Sequence, residues 1–149
     1  GASLALAAKL AGIRCTIFIP EDYHTPRIEE MKNYGAEVER FPGSYEESVK
    51  HSIEEAHRAD WYDANPGGAN TPLQIMAYAE IANEIYDVLR DAPKMVAVPV
   101  SNGTLLTGVH RGFVNLYKRG KTSRIPKMIA ASSTHKNPIV FSFKKNLDR

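Results

Sequence analysis

Cysteine is almost missing from this sequence of 149 residues: Cys15 stands alone, so no disulfide can form within the chain. It falls inside the apolar run Ile13–Pro20, where a small buried hydrophobe is expected. Long apolar runs are missing too. Charge or proline interrupts each one before the ~18 residues that a membrane-crossing helix needs, so no membrane partner is expected. With a single cysteine, the cytoplasm is the default compartment. Acidic residues all but vanish from Pro93 onward, where eleven Lys and Arg face a single Asp; up to Ala92 eight Lys and Arg face sixteen Asp and Glu. The basic stretch from Arg111 through Lys118, Arg119, Lys121, Arg124 and Lys127 lacks the interleaved aromatics of a stacking platform. It reads as solvated surface, and no nucleic-acid partner is expected.

Several chemical signatures are absent as well. There is no Gly-Lys-Ser/Thr phosphate loop, no Gly-x-Gly-x-x-Gly turn and no Gly-x-Ser-x-Gly elbow. No pair of histidines or carboxylates has the spacing of a zinc or calcium site, so no metal is expected. His51 and Glu55 lie one helical turn apart, which suits a surface pair. Lys9, Lys32, Lys50, Lys118, Lys121 and Lys127 fall on polar faces or loops, and none reads as the desolvated amine that covalent catalysis requires. No catalytic residue is therefore assigned within the chain.

What is present is a hydrophobic fraction of 43%, enough for a packed core, and a period that switches repeatedly between helix and strand. Helical patterns cover Ser3–Ala11, the stretch opened by Thr25-Pro26 and closed by Gly35, Ser44 to about Arg58, Leu73–Leu89, Leu105–Lys118 and Pro138–Lys145. Ser44 with Glu47 three residues on has the form of a capping box. Strand patterns cover Ile13–Ile19, Ala36–Phe41, Trp61–Ala64, Met95–Val100 and Met128–Ala131. Strands separated by helices of this length predict an α/β fold: a three-layer α/β/α, Rossmann-like parallel sheet. The change in charge near residues 91–94 predicts a boundary there, giving domains 1–92 and 93–149.

In parallel sheets ligands gather outside the carboxyl ends of the strands. Ser101-Asn102-Gly103-Thr104 falls at such an end, between the run Met95–Val100 and the helix that follows. Unpaired amides and the helix dipole favour an anion there, phosphate above all. Gly103 would allow close backbone approach, and the hydroxyls of Ser101 and Thr104 can bond phosphate oxygens. The same residues would also make an ordinary strand-to-helix turn, and the local pattern leaves both readings open. Gly108, one turn further, would let this helix pack closely on the sheet. Ser132–Asn137 closes the next strand on the same side and carries His135.

The order of these segments resembles the fold type II pyridoxal-phosphate enzymes, the tryptophan synthase β-like family. Gly1-Ala2-Ser3 through Ile13 is similar to the helix that follows the family's Ser-Gly-Asn loop. Pro26–Val38 with Gly43-Ser44-Tyr45-Glu46-Glu47 resembles the next unit of its small domain. Asn65-Pro66 and Tyr78–Ile85 resemble the path back to the large domain, and Val98–Leu105 the loop around the cofactor phosphate. Asn137-Pro138-Ile139-Val140 matches the helix after the next strand. Among members, threonine synthase is the most similar by eye, with threonine dehydratase and cysteine synthase as relatives.

The resemblance implies pyridoxal 5'-phosphate as cofactor, held at its phosphate by Ser101, Asn102, Gly103 and Thr104. The parent protein would be a lyase or synthase of amino-acid metabolism acting on a small amino acid or its phosphorylated precursor, whose carboxylate would lie near Gly1–Ser3. It further implies that 1–92 belongs to the small domain and 93–149 to part of the large one. The lysine that carries the cofactor would then lie upstream, and the chain alone would be inactive. Exposed strand edges imply self-association, and a homo-oligomer is expected. The rival reading is a non-catalytic α/β module that binds a phosphorylated ligand.

Overall fold

The protein is described here by a computed structural model covering residues 1–132 and 137–144. Its close contacts divide the chain into two compact units, Gly1–Asn65 and Pro66–Arg149.

The first unit contains α1 (Ala2–Ala11), β1 (Thr16–Pro20), α2 (Arg27–Asn33), β2 (Glu37–Phe41) and α3 (Tyr45–Arg58). β1 and β2 pair in parallel, with Ile17 opposite Val38 and Ile19 opposite Arg40. The two-residue period of β1 turns Ile17 and Ile19 to one face, where they meet Ala2 and Ala5 of α1 and Met31 of α2. Its other face carries Phe18 toward α3. There His51 stacks on the Phe41 ring at 4.6 Å and meets the Phe18 ring edge-on at 5.1 Å. His51 is thus a packing residue between aromatic rings and not the solvent-facing partner that its spacing from Glu55 suggests. Glu55 bonds Arg58, and this bond, with a smaller attraction from His51, holds its carboxyl below the usual carboxylate range. The capping box of α3 is formed as expected. Ser44 Oγ accepts from the Glu47 amide at 3.3 Å, and Glu47 Oε2 accepts from the Ser44 amide at 2.8 Å. Cys15 is half-buried beside this core, and desolvation pushes its thiol up.

Trp61–Ala64 forms no strand. The Trp61 amide closes back on the Ala56 carbonyl at 2.8 Å, and Asp63 makes a local bond to the residue just after the segment. Asp63 Oδ1 accepts from the Asn65 amide at 2.9 Å and from Asn65 Nδ2 at 2.7 Å. A side chain that satisfies nearby N–H groups competes directly with a strand ladder.

The second unit contains a 3₁₀ turn (Gly68–Asn70), α4 (Thr71–Leu89), β3 (Met95–Pro99), α5 (Thr104–Lys118), β4 (Lys127–Ala131) and α6 (Pro138–Lys144). β3 and β4 are parallel, with Val96 opposite Met128 and Val98 opposite Ala130. α5 covers one face through Val109, Phe113 and Leu116, which cluster with Val96 and Met128. The opposite face leaves Met95 and Ile129 exposed. α4 packs along α5, and the reason lies in two glycines. A Cβ placed on Gly112 would stand 2.3 Å from the Ala79 carbonyl oxygen, and one on Gly108 would stand 2.4 Å from Tyr78 Cβ. Gly108 therefore serves a helix–helix contact and not the helix-on-sheet packing that its place after the turn suggests. The charge change near residue 92 and the junction at 65/66 differ by α4, which belongs structurally with α5.

The turn from α4 into β3 is held by a carboxylate. Asp91 Oδ1 accepts from the amides of Ala92 and Ser123, both at 2.7 Å, and Oδ2 accepts from Ser123 Oγ at 2.6 Å. These bonds, led by those of Ser123, lower the Asp91 pKa from 3.8 to about 2. A carboxyl depressed in the fold contributes stability that is complete above its unfolded value and disappears as pH falls through the folded one. An acid titration of thermal stability should therefore show wild type losing its advantage over Asp91→Asn between about pH 4 and pH 2. A constant gap across that window would remove this role from Asp91.

Candidate functional site

The four residues Ser101–Thr104 come together where β3 ends and α5 begins. β3 delivers the chain through buried Val98 and Val100, and the Val100 amide bonds the Ala131 carbonyl at 2.8 Å. Gly103 then adopts φ +88° as the residue before α5. This left-handed backbone costs glycine little and strains other residues, most of all β-branched ones. The first helical bond runs from the Thr107 amide to the Gly103 carbonyl at 3.0 Å. Upstream of it, the amides of Gly103, Leu105 and Leu106 make no hydrogen bond among the described residues. They are the open donors of a helix start. Asn102 orients the turn from within: its Oδ1 accepts from Thr104 Oγ1 at 3.0 Å and from the Thr104 amide at 3.4 Å.

These residues border an open cleft of about 620 Å³, with Tyr78 on one wall and Ser132 and Asn137 on another. Ser101 and Asn102 are exposed, while Gly103 and Thr104 are half-buried. The surface on offer is amide N–H, hydroxyl and a helix N-terminus, which suits an anion. A phosphate group fits it: among the described residues no carboxylate lines the cleft, and Gly103 carries no side chain. His135, together with Ser133 and Thr134, lies outside the described residues. Lys9, Lys32, Lys50, Lys118, Lys121 and Lys127 are all exposed. Among the described residues no three of His, Cys, Asp and Glu gather as metal ligands, and no helix is long and apolar enough to cross a membrane.

Residues 1–148 match the family model of the pyridoxal-phosphate dependent enzymes. The chain belongs to that family. Its cofactor is pyridoxal phosphate, whose phosphate is the kind of anion this turn suits. Threonine synthase of Mycobacterium tuberculosis is 26% identical over 140 residues, covering 93% of this chain and 38% of the relative. The human protein named serine dehydratase-like is 30% identical over 116 residues, or 78% of this chain and 35% of its own length. Among solved structures, holo diaminopropionate ammonia lyase from Escherichia coli superposes with a TM-score of 0.81 at 24% identity, covering 97% of this chain and 38% of that one. A fungal L-serine ammonia-lyase from Rhizomucor miehei gives 0.80 at 19%, covering 97% and 44%. These likenesses establish the α/β fold of a pyridoxal-phosphate enzyme, and the chain spans about two fifths of the length of the relatives it matches.

Two residues of this region carried no role in the sequence. Gly112 is indistinguishable from any helix glycine until α4 is seen against it. Asn137 had one local signal, an asparagine directly before a proline that opens a helix. That signal marks the start of α6 and says nothing of what else the side chain touches.

Proposed function

We propose that this chain is the cofactor-phosphate-binding part of a pyridoxal-phosphate-dependent lyase or synthase of the threonine synthase kind. The observation that carries the reading is the turn at Ser101–Thr104, with its open amides at the N-terminus of α5 and no acidic side chain in the cleft. When bound, pyridoxal phosphate supplies the electron sink for elimination or replacement at a small amino acid. The chain's own share is to hold and orient. The Gly103 and Leu105 amides and the Ser101 hydroxyl donate to phosphate oxygens, the Thr104 hydroxyl does so on leaving Asn102 Oδ1, and the positive end of α5 offsets the charge. The unit Gly1–Asn65 corresponds to the small domain and Pro66–Arg149 to part of the large one. The amine that carries the cofactor comes from outside these residues, so the isolated chain is inactive. The complete protein is a cytoplasmic homo-oligomer.

The human serine dehydratase-like relative favours a second reading, ammonia release from a hydroxy amino acid. Product analysis of the complete protein separates the two: inorganic phosphate from a phosphorylated amino acid supports the first, ammonia from serine or threonine the second.

Gly103→Val tests the site itself. The variant strains the left-handed turn and sets a branched side chain against Ile139, which displaces the backbone that carries the open amides. Losing one or two charge-assisted hydrogen bonds should weaken pyridoxal phosphate by about 10- to 100-fold. Pyridoxal, which has no phosphate, should bind as before. An unchanged affinity for the phosphorylated cofactor in a folded variant would reject Ser101–Thr104 as its anchor.

A further inference from the structure

Asn137 makes three bonds with one side chain. Its Nδ2 donates to the Val100 carbonyl at 2.6 Å and to the Ser101 carbonyl at 3.0 Å. Its Oδ1 accepts from the Ile139 amide at 3.0 Å, within the first turn of α6. Two acceptors on one side and one donor on the other determine which end of the amide is which. α6 lies over the turn, since a Cβ on Gly103 would stand 3.5 Å from Ile139 Cδ1. Among the described residues neither carbonyl has another partner. The bond from the Thr104 amide goes to Asn102 Oδ1 and none runs from the Leu105 amide to Ser101, so α5 takes up neither oxygen.

We propose that Asn137 is a positioning residue for the phosphate turn: it ties back the carbonyls of Val100 and Ser101 so that the turn presents donors to the ligand. A free carbonyl oxygen turned into the cleft would repel a phosphate. In a trans peptide the C=O and the following N–H point in opposite directions, and no peptide bond here is cis. Holding the Val100 and Ser101 oxygens on the Asn137 side therefore aims the Ser101 and Asn102 amides away from it. One side chain thus sets the direction of two peptide units that lead into the open amides of Gly103 and Leu105. The same bonds anchor the start of α6, so the turn and α6 move together.

This proposal rests on reading Ser101–Thr104 as the phosphate site. The test measures binding of pyridoxal phosphate and of pyridoxal to the complete protein, as wild type, Gly103→Val, Asn137→Ala and Asn137→Asp. Asn137→Ala should lose about tenfold in affinity for pyridoxal phosphate, the worth of one such oriented bond, and keep wild-type affinity for pyridoxal. Asn137→Asp should lose more at neutral pH, where a carboxylate faces two carbonyls and the phosphate. It should recover relative to wild type as acid protonates it and restores one donor. Should the alanine variant fail to fold, the pH-dependent recovery of Asn137→Asp decides the matter. Equal losses for both ligands would mean a merely structural role and overturn the proposal. Wild-type affinity in Asn137→Ala beside a loss in Gly103→Val would overturn it while leaving the phosphate site standing. No loss in Gly103→Val would remove the site and the proposal together.

Discussion

Phe113→Ala should destabilise the second unit by about 3–5 kcal/mol, the usual cost of emptying a phenylalanine site in a closed core. Phe113 is the largest fully buried side chain of the chain's described part, at 0% exposure, and it is central to the cluster of Val109, Leu116 and Ala82. The cavity cannot refill easily, because its neighbours are held by the two strands below and by α4 alongside. Urea unfolding followed by far-ultraviolet circular dichroism should show the fall in midpoint. Hydrogen exchange should accelerate in α4 and α5 and leave the α3 amides protected. A loss under about 1 kcal/mol would mean that the site relaxes around the missing ring, contrary to the dense packing of protein interiors.

Gly112→Val should cost a comparable amount, roughly 3 kcal/mol or more, by the opposite mechanism of overpacking. The added Cβ would overlap the Ala79 carbonyl oxygen at 2.3 Å and Ala82 Cβ at 2.6 Å. The first of these is backbone and cannot rotate aside, so α4 and α5 must separate. Alanine itself carries that Cβ, and Gly112→Ala should already destabilise measurably although alanine is the better helix former. The sign is the test. If helix propensity governed the site, Gly112→Ala would raise the urea midpoint, and the close approach of α4 would have no energetic weight. Because Gly103 and Thr104 start the helix that carries Gly112, a forced shift of α5 should also weaken pyridoxal phosphate binding in variants that remain folded.

The elements that could be read beforehand are those whose cause is local. The capping box at Ser44 and Glu47 needs only two residues three apart, and it is present. The helix starts after Thr25-Pro26 and at Thr71-Pro72 and the β-branched strands Met95–Pro99 and Thr16–Pro20 follow from proline geometry and from two-residue alternation. Trp61–Ala64 has strand-forming residues yet no ladder, because pairing requires a neighbour and Asp63 satisfies the local amides first. His51 shows the same limit from the other side. Its spacing from Glu55 is visible in the sequence, but the rings of Phe18 and Phe41 reach it only through the fold of β1, β2 and α3.

For the site, the order strand, small polar turn, helix was enough to locate Ser101–Thr104, because a βα turn and its helix dipole are consequences of consecutive residues. The positive φ of Gly103 belongs to the same local class. Only the tertiary structure decided which neighbours complete it. Asn137 is 36 residues from Ser101 in sequence and 3.0 Å from its carbonyl in space. Gly108 and Gly112 acquire their meaning from Tyr78 and Ala79 of α4, 30 and 33 residues away along the chain. The sequence by itself thus determined the α/β order and the place of the turn at Ser101–Thr104, both written in short-range pattern, while the order of its segments carried the resemblance to the family. The partners of Asn137, the ring contacts of His51 and the close helix pair were decided by chain closure, since contacts between distant residues depend on which surfaces pack together and leave no periodic trace.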